Sequence, residues 1–124
     1  MDDLKSKKTL VLIASPKPER YAYKAVKMLV ENDHQVVAIG RREGTIDELK
    51  FLTGKPFIDG IHTLTLYLNP LNQKDFYQYI LALAPKRVIF NPGTENKELQ
   101  QMLDLNKIQW EEACTLVLLS TGQF

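Results

Sequence analysis

The chain has little cysteine, little histidine and no long apolar run. Cys114 is the single cysteine among 124 residues, which excludes a disulfide within the chain and is typical of a reducing compartment. The N-terminal lysines are not followed by an apolar segment, and the first apolar run, Leu10 to Ala14, is too short for a signal peptide or a membrane span. These absences predict a cytoplasmic protein.

An excess of one charge sign is also missing. The formal net charge is +1, so no global field would draw the chain to nucleic acid or to a membrane, and any anion binding must come from locally placed charges. Hydrophobic residues make up 44% and charged residues 25%, which is typical of a folded globular protein. Residues 1–124 are predicted to form a single domain. The sequence leaves open whether the chain forms a homo-oligomer.

Residue sets typical of catalysis are absent from the sequence as well. There is no Ser-His-Asp set, no metal-ligand spacing and no Walker loop. Glu111 and Glu112 are adjacent, so in a strand their carboxylates would lie on opposite faces rather than act as a pair. His34 is expected on a turn and His62 at the start of a strand, and neither has a partner visible in the sequence. The chain is therefore predicted not to be an enzyme.

Short apolar runs alternate with helical periodicity along the chain. Continuous rather than alternating polarity is typical of strands buried on both faces. The predicted strands are Thr9–Ala14, Val36–Ile39, Ile61–Leu68, Val88–Phe90 and Ile108–Trp110. Strands and helices alternating with short loops predict an α/β fold, with a mainly parallel five-stranded sheet between two layers of helices. Thr115 to Leu119 fits either a sixth strand or a helical turn.

Capping signals predict where several helices begin and end. The first helix should end at Asn32-Asp33. Thr45 to Glu48 has the form of a capping box, which predicts a short helix ending near Gly54. Asn72 and Thr94 are expected to cap the two helices that follow the third and fourth strands. Asn106 is predicted to end the last of these in a left-handed conformation.

In a parallel sheet of this kind, ligands bind outside the carboxyl ends of the strands. The first strand and the turn that follows it have the sequence TLVLIASPKPER. In this turn Ser15 offers a hydroxyl and a backbone N–H to a phosphate, and Lys17 and Arg20 add positive charge. A glycine is usual at the position of Ile13. On its own the turn could also simply end the strand.

The second strand ends at Arg41-Arg42, where an NAD site would need a carboxylate for the ribose hydroxyl. Guanidinium groups instead favour a nucleotide with an extra ribose phosphate, such as NADP or coenzyme A. The alternative is a solvated loop pair. Asn69-Pro70 and Asn91-Pro92 are good turn formers that could also shape walls around a flat ligand. Cys114 is more often a buried small hydrophobe than a nucleophile.

With these residues, the chain resembles the small bacterial CoA-binding proteins, a Rossmann-like family similar to the CoA-binding domain of the succinyl-CoA synthetase α subunit. The resemblance spans Thr9 to Phe124 and is carried by ASPKPERYAYKAV, LTLYLNPLNQKDFYQYI, RVIFNPGTEN and EEACTLVLLSTGQ. It implies a Rossmann-like fold that holds coenzyme A or an acyl-CoA across the strand ends. The phosphohistidine of the synthetase lies outside this unit, so ligase activity is not implied.

The resemblance also implies a role for each part of the site. Ala14, Ser15 and Arg20 would form the pyrophosphate loop, and Arg41 or Arg42 would meet the adenosine end. The adenine or ribose wall would be Leu68, Asn69 and Pro70. The pantetheine side would be Asn91, Pro92 and Gly93, with Cys114 near the thiol end. Ile13 departs from the glycine common in the family, which puts the affinity of the loop in question.

Three hypotheses follow for the function. The first is non-catalytic binding of coenzyme A or an acyl-CoA. The second is an NADP-linked oxidoreductase, for which the sequence shows no proton donor. The third is an interaction module that binds no ligand, in which Ile13 marks a degenerate nucleotide site and Ile13→Gly would restore binding.

Overall fold

The computed structural model describes residues 6–124. This part of the chain contains seven strands and five α-helices. In order they are β1 (Thr9–Ala14), α1 (Tyr21–Glu31), β2 (Val36–Gly40), β3 (Thr45–Ile46), β4 (Leu49–Lys50), β5 (Thr63–Leu66), α2 (Pro70–Gln73), α3 (Tyr77–Leu83), β6 (Arg87–Phe90), α4 (Lys97–Leu105), β7 (Gln109–Glu112) and α5 (Thr115–Ser120). A 3₁₀ turn, Lys74–Phe76, joins α2 to α3.

The main sheet has five parallel strands in the order β2-β1-β5-β6-β7. From β1 the chain first adds β2 on one side, then returns to add β5 on the other side of β1 and continues outward to β6 and β7. Thr9 accordingly pairs with Val36 of β2 and with Thr63 of β5. The strand order therefore reverses at β1 and β5, which is where ligands bind in open α/β sheets. The predicted α/β fold is confirmed.

Strands β1, β5 and β6 bury both of their faces, which explains the continuous apolar runs of β1 and β6, whereas the edge strand β7 is exposed at Gln109 and Glu112. One face presents Leu10, Leu12, Leu64 and Leu66 to the layer of α3 and α4. The opposite face presents Val11, Ala38 and Ile89 to the layer of α1 and the C-terminal segment, with Val26, Leu29, Leu119 and Phe124. The result is a three-layer Rossmann-like domain with one apolar cluster on each side of the sheet.

The helix predicted at Thr45 to Glu48 is wrong, because the segment forms an antiparallel hairpin of β3 and β4. Asp47 lies at the turn with a φ of 52°, a left-handed conformation that a helix interior does not accept. The Asp47 carboxylate accepts a 2.7 Å hydrogen bond from the ammonium group of Lys27 in α1. Ile46 is buried at 3% exposure on the α1 side of the sheet, and this packing selects the hairpin.

Two predicted caps are displaced, one toward the preceding strand and the other away from it. Asn69 caps α2 by accepting a 2.9 Å hydrogen bond from the backbone N–H of Asn72, the residue that was predicted as the cap. Asn96, rather than Thr94, caps α4 by accepting from the Leu99 N–H. The Thr94 hydroxyl instead donates to the Asn91 carbonyl at 2.8 Å. In both cases proline or loop hydrogen bonding moves the helix start.

The remaining differences concern the ends of elements. Asn106 has a φ of −98°, and the left-handed residue is Lys107, with a φ of 59°. The third predicted strand shortens to Thr63–Leu66, and the fifth moves to Gln109–Glu112. The ambiguous segment at Thr115 is helix α5, so it adds no sixth strand. None of the helices within residues 6–124 has the length and apolar content needed to cross a membrane.

Candidate functional site

A cleft of about 360 Å³ opens at the carboxyl ends of β1, β2 and β5, beside the point where the strand order reverses. Its lining comes from the ends of these strands, from the loop after β4 and from α2 with its 3₁₀ extension. The lining residues are Ile13, Ile39, Gly40, Arg41, Gly54, Lys55, Leu68, Asn72, Asp75 and Phe76. Of the twelve residues that the sequence pointed to, Arg41 and Leu68 line this cleft.

The lining of the cleft is mixed: four apolar side chains share it with two glycines and with the polar or charged side chains of Arg41, Lys55, Asn72 and Asp75. Ile39 and Leu68 are buried at 0% and 2% exposure, and they belong to the same apolar cluster of the core. Ile13 and Phe76 are half-buried and pack against that cluster from the cleft side. Ile13 occupies a bulge of β1, because Leu12 pairs with Ile39 and Ala14 with Gly40 while Ile13 has no partner in β2. Its side chain therefore forms part of the cleft wall, at the position where a glycine was expected.

Positive charge lies at the mouth of the cleft. Arg41 is exposed directly after β2, and Arg42 is exposed beside it. Lys55 reaches over the cleft from the loop after β4: its ammonium donates to the Asp75 carbonyl and lies 5.1 Å from the centre of the Phe76 ring. A cation placed over an aromatic face is held by the ring quadrupole. The cleft thus combines apolar side chains with cations at its mouth.

Gly40 brings β2 close to the neighbouring chain at this edge. A Cβ atom on Gly40 would lie 2.8 Å from the Phe51 ring and 2.9 Å from the Arg42 carbonyl, which is closer than packed atoms allow. Phe51 is itself buried at 7% exposure. Only a glycine therefore lets the strand end tightly and present Arg41 to the cleft.

The turn after β1 lies at the same edge of the sheet. Ser15 is half-buried, and its hydroxyl oxygen accepts a 3.2 Å hydrogen bond from the backbone N–H of Lys17. Arg20 is the exposed residue immediately before α1, and no side chain caps that helix. The first turn of α1 also carries no acidic residue. This helix start is therefore left with N–H dipoles that no side chain neutralises, directly after Arg20.

A buried polar network beneath the wall was missed by the sequence analysis. Gln73 is fully buried, and its amide nitrogen donates to the carbonyls of Leu68 and Thr94, each at 2.8 Å. The Gln73 amide oxygen accepts from Asn96 at 2.8 Å. One side chain therefore joins the loop after β5 to the loop after β6. No role was predicted for Gln73, because no local signal in the sequence reveals these contacts.

The Asn91-Pro92-Gly93 turn divides into a buried and an exposed part. The Asn91 amide nitrogen donates to the Thr65 hydroxyl at 2.6 Å and to the Leu66 carbonyl at 2.8 Å. Its amide oxygen accepts from the backbone N–H of Thr115 at 2.9 Å. Asn91 therefore braces β5 and the start of α5, whereas Pro92 and Gly93 are exposed at the sheet edge.

Cys114 lies two residues after β7 and is half-buried at the start of α5, outside the lining of the 360 Å³ cleft. Nearby, burial raises the pKa of Tyr67 to about 12. The hydroxyls of Thr65 and Thr115 are hydrogen bonded to each other at 2.8 Å. Asn69 and Pro70 stand at the start of α2, with Asn69 exposed and Pro70 half-buried.

Both histidines lie at the opposite edge of the sheet, since His34 precedes β2 and His62 precedes β5. Burial is the largest cause that lowers the pKa of each, and neighbouring cations lower it further. Within residues 6–124, no group of three or more His, Cys, Asp and Glu side chains is placed to hold a metal ion.

The chain is similar to known proteins over nearly its whole length. A family model described as "CoA binding domain" matches residues 7–120. A crystal structure of an uncharacterized protein is 49% identical, with a TM-score of 0.93 over 96% of this chain and 98% of the other. No curated protein matches the chain.

Two archaeal and bacterial structures share the fold at lower identity. A hypothetical protein from Pyrococcus horikoshii OT3 is 24% identical, with a TM-score of 0.74 over 91% of this chain and 81% of that one. A protein from Thermus thermophilus is 22% identical, with a TM-score of 0.78 over 98% and 92% of the two chains.

Proposed function

Because the chain belongs to the CoA-binding domain family, we propose that it binds coenzyme A or an acyl-CoA without catalysis, across the carboxyl ends of its parallel strands. One observation carries the proposal furthest. The cleft at the reversal of strand order joins apolar side chains to the exposed guanidinium of Arg41 and the ammonium of Lys55. A nucleotide with a flat base and a phosphorylated ribose presents the complementary surface.

The adenosine end fits the cleft best. Ile13 and Phe76, which are half-buried and pack against the core cluster of Ile39 and Leu68, offer apolar and aromatic surface to adenine, which would leave water on binding. Arg41 and Arg42 follow Gly40 at the mouth, where the ribose 3′-phosphate would accept from the guanidinium fork. Ile13 contributes apolar wall here, so its side chain is compatible with a bound base.

The remaining parts of the ligand would follow the sheet edge toward β7. The pyrophosphate would lie between the Ser15 turn and the uncapped start of α1, with Arg20 beside it. The pantetheine arm would pass the exposed Pro92 and Gly93 and end near Cys114. Adjacent strands are about 4.8 Å apart, so β2 and β7 are separated by roughly 19 Å, a span that calls for an elongated ligand.

Calorimetric titration with CoA and with dephospho-CoA tests the proposal. We expect saturable binding of CoA and binding of dephospho-CoA that is weaker by about tenfold or more, because a charge-assisted phosphate contact is worth about 1.5–3 kcal/mol. Arg41→Gln should abolish most of this discrimination. Lys50→Gln, an exposed change in the β4 hairpin, is the matched control and should preserve it.

The outcomes separate the three hypotheses. No heat with either compound would overturn CoA binding, and equal affinity would overturn the role of the arginines. Binding of NADPH but not CoA would favour the NADP-linked oxidoreductase, which the same arginine pair supports. If the Ile13→Gly variant bound a nucleotide and the natural chain did not, the chain would be an interaction module with a degenerate nucleotide site. Because the proposed binding is non-catalytic, acetyl-CoA incubated with the protein should release CoA no faster than it does in buffer.

A further inference from the structure

A second concavity, of about 590 Å³, opens at the amino-terminal edge of the sheet, away from the cleft described above. It is formed at the beginnings of β5, β6 and β7. Its lining residues are His62, Lys86, Arg87, Lys107, Gln109 and Glu111. Three permanent cations therefore face one carboxylate, although the chain as a whole is almost neutral, with a net charge of +1.

A chain of hydrogen bonds fixes the orientation and the tautomer of His62. The Thr63 hydroxyl accepts from Nε and from a terminal nitrogen of Arg87, at 3.1 and 3.0 Å. A guanidinium can only donate, so both lone pairs of the Thr63 oxygen are occupied and its own proton points to Nδ1 of His62, 2.7 Å away. His62 is thus neutral, with Nδ1 as an acceptor and a proton on Nε2. Among residues 6–124, no hydrogen bond uses this Nε2–H.

The Arg87 guanidinium is held firmly, and the carboxylate of Glu111 neutralises it only in part. Its contact with Glu111 is a single 3.4 Å ion pair rather than a two-bond fork. The Phe124 ring lies 4.6 Å from the guanidinium carbon and supports it from another side. Glu111 is the single carboxylate in the lining, and its charge is shared with Arg87. Lys86 and Lys107 are exposed.

The titration of the neighbouring groups agrees with this excess of positive charge. After burial, Arg87, Lys7, Lys86 and His34 lower the pKa of His62. Burial and then Arg87 lower the pKa of Lys7, which Glu111 raises only in part. An anion in the concavity would relieve this repulsion among groups that the fold already holds in place.

We propose that this amino-terminal concavity binds a phosphate dianion, either free or as a phosphate monoester. His62 donates from Nε2, while Arg87, Lys86 and Lys107 supply the charge. The proposal does not depend on the CoA site, because the two lie at opposite ends of the strands.

The test follows the imidazole nitrogens of His62 by NMR while sodium phosphate replaces sodium chloride at constant ionic strength. Constant ionic strength is needed because exposed lysines respond to salt alone. At about pH 8, where the phosphate is a dianion, we expect a saturable shift of Nε2 and a raised His62 pKa. The double variant Lys86→Gln/Lys107→Gln should bind at least about tenfold more weakly. Lys50→Gln should bind as the natural chain does.

Two further arms identify the source and guard against misreading. Glycerol phosphate binding more tightly than inorganic phosphate would identify a metabolite ester, whereas equal binding would identify the phosphate group itself. A shift that stays linear, or a double variant that binds like the natural chain, would overturn the proposal as simple charge screening. CoA titration of the same double variant should be unchanged, so a failure here is distinguishable from a failure of the proposed function.

Discussion

Gln73→Glu is the change that tests most sharply how the walls of the cleft are held. The natural amide nitrogen donates to two carbonyl oxygens at 2.8 Å, those of Leu68 and Thr94, in a position with no solvent exposure. A glutamate has the same shape but would turn a carboxylate oxygen toward both carbonyls. The ionised form then loses two hydrogen bonds and buries an unpaired charge.

The expected cost follows from these contacts. Desolvation and carbonyl repulsion raise the pKa of the introduced carboxyl well above its unfolded value of about 4.3. A rise of two to four pH units corresponds to roughly 3–4 kcal/mol at pH 7, because the cost there cannot exceed that of protonating the carboxyl from its unfolded pKa. For a chain of 124 residues this lowers the Tm by about 10–20 °C.

The pH dependence provides the decisive result. Because the folded pKa is raised, the stability lost through ionisation of the carboxyl returns as the pH falls below the folded pKa. This part of the loss is fully regained near the unfolded pKa. Below about pH 4 the neutral carboxyl can still donate to one carbonyl, so a deficit of only about 1 kcal/mol should remain. Thermal melts monitored by circular dichroism from pH 4 to pH 8 measure this difference.

Gln78→Glu is the matched control, since Gln78 is an exposed residue of α3. It should change the free energy of unfolding by less than about 0.5 kcal/mol at any of these pH values. If Gln73→Glu were equally stable at pH 4 and pH 8, or no less stable than the control, the buried network would not hold the wall in the way described.

The other predictions concern two further positions at the carboxyl edge. Gly40→Ala should destabilise the fold by about 1–3 kcal/mol, since its Cβ would stand 2.8 Å from the Phe51 ring; a denaturant curve that overlays the natural one would contradict the close packing of β2. Tyr67→Phe should leave the free energy of unfolding unchanged or raise it, because the buried hydroxyl has no hydrogen-bond partner among the described residues. Urea unfolding measures this, and a loss above about 1.5 kcal/mol would instead reveal a hydrogen bond to Thr65 or Thr115.

The fold was predictable because its signals are local. The inner strand β1 buries both of its faces, so Thr9–Ala14 stands out as a continuous apolar segment, and β1 was predicted to the residue. The hairpin at Thr45 was missed for the opposite reason. A capping pattern and a hairpin turn both use short polar residues, and only the burial of Ile46 against the α1 side of the sheet decides between them.

The site was predictable in part. The rule that ligands bind beyond the carboxyl ends of strands placed Arg41 and Leu68 at the cleft. The same rule could not show that Phe76 and Lys55 would reach the cleft from other elements. Gln73 was missed because its partners lie on two loops that only the folded chain brings together. The amino-terminal concavity likewise combines the starts of three strands, which no spacing in the sequence records.

Electron density from a crystal of the protein grown with CoA is the most direct test of the central claim. We expect adenine against Ile13 and Phe76, the 3′-phosphate within hydrogen-bond distance of Arg41 or Arg42, and the pantetheine arm running along the strand ends toward Cys114. Density for CoA at the amino-terminal edge, or an empty carboxyl edge at saturating CoA, would contradict it.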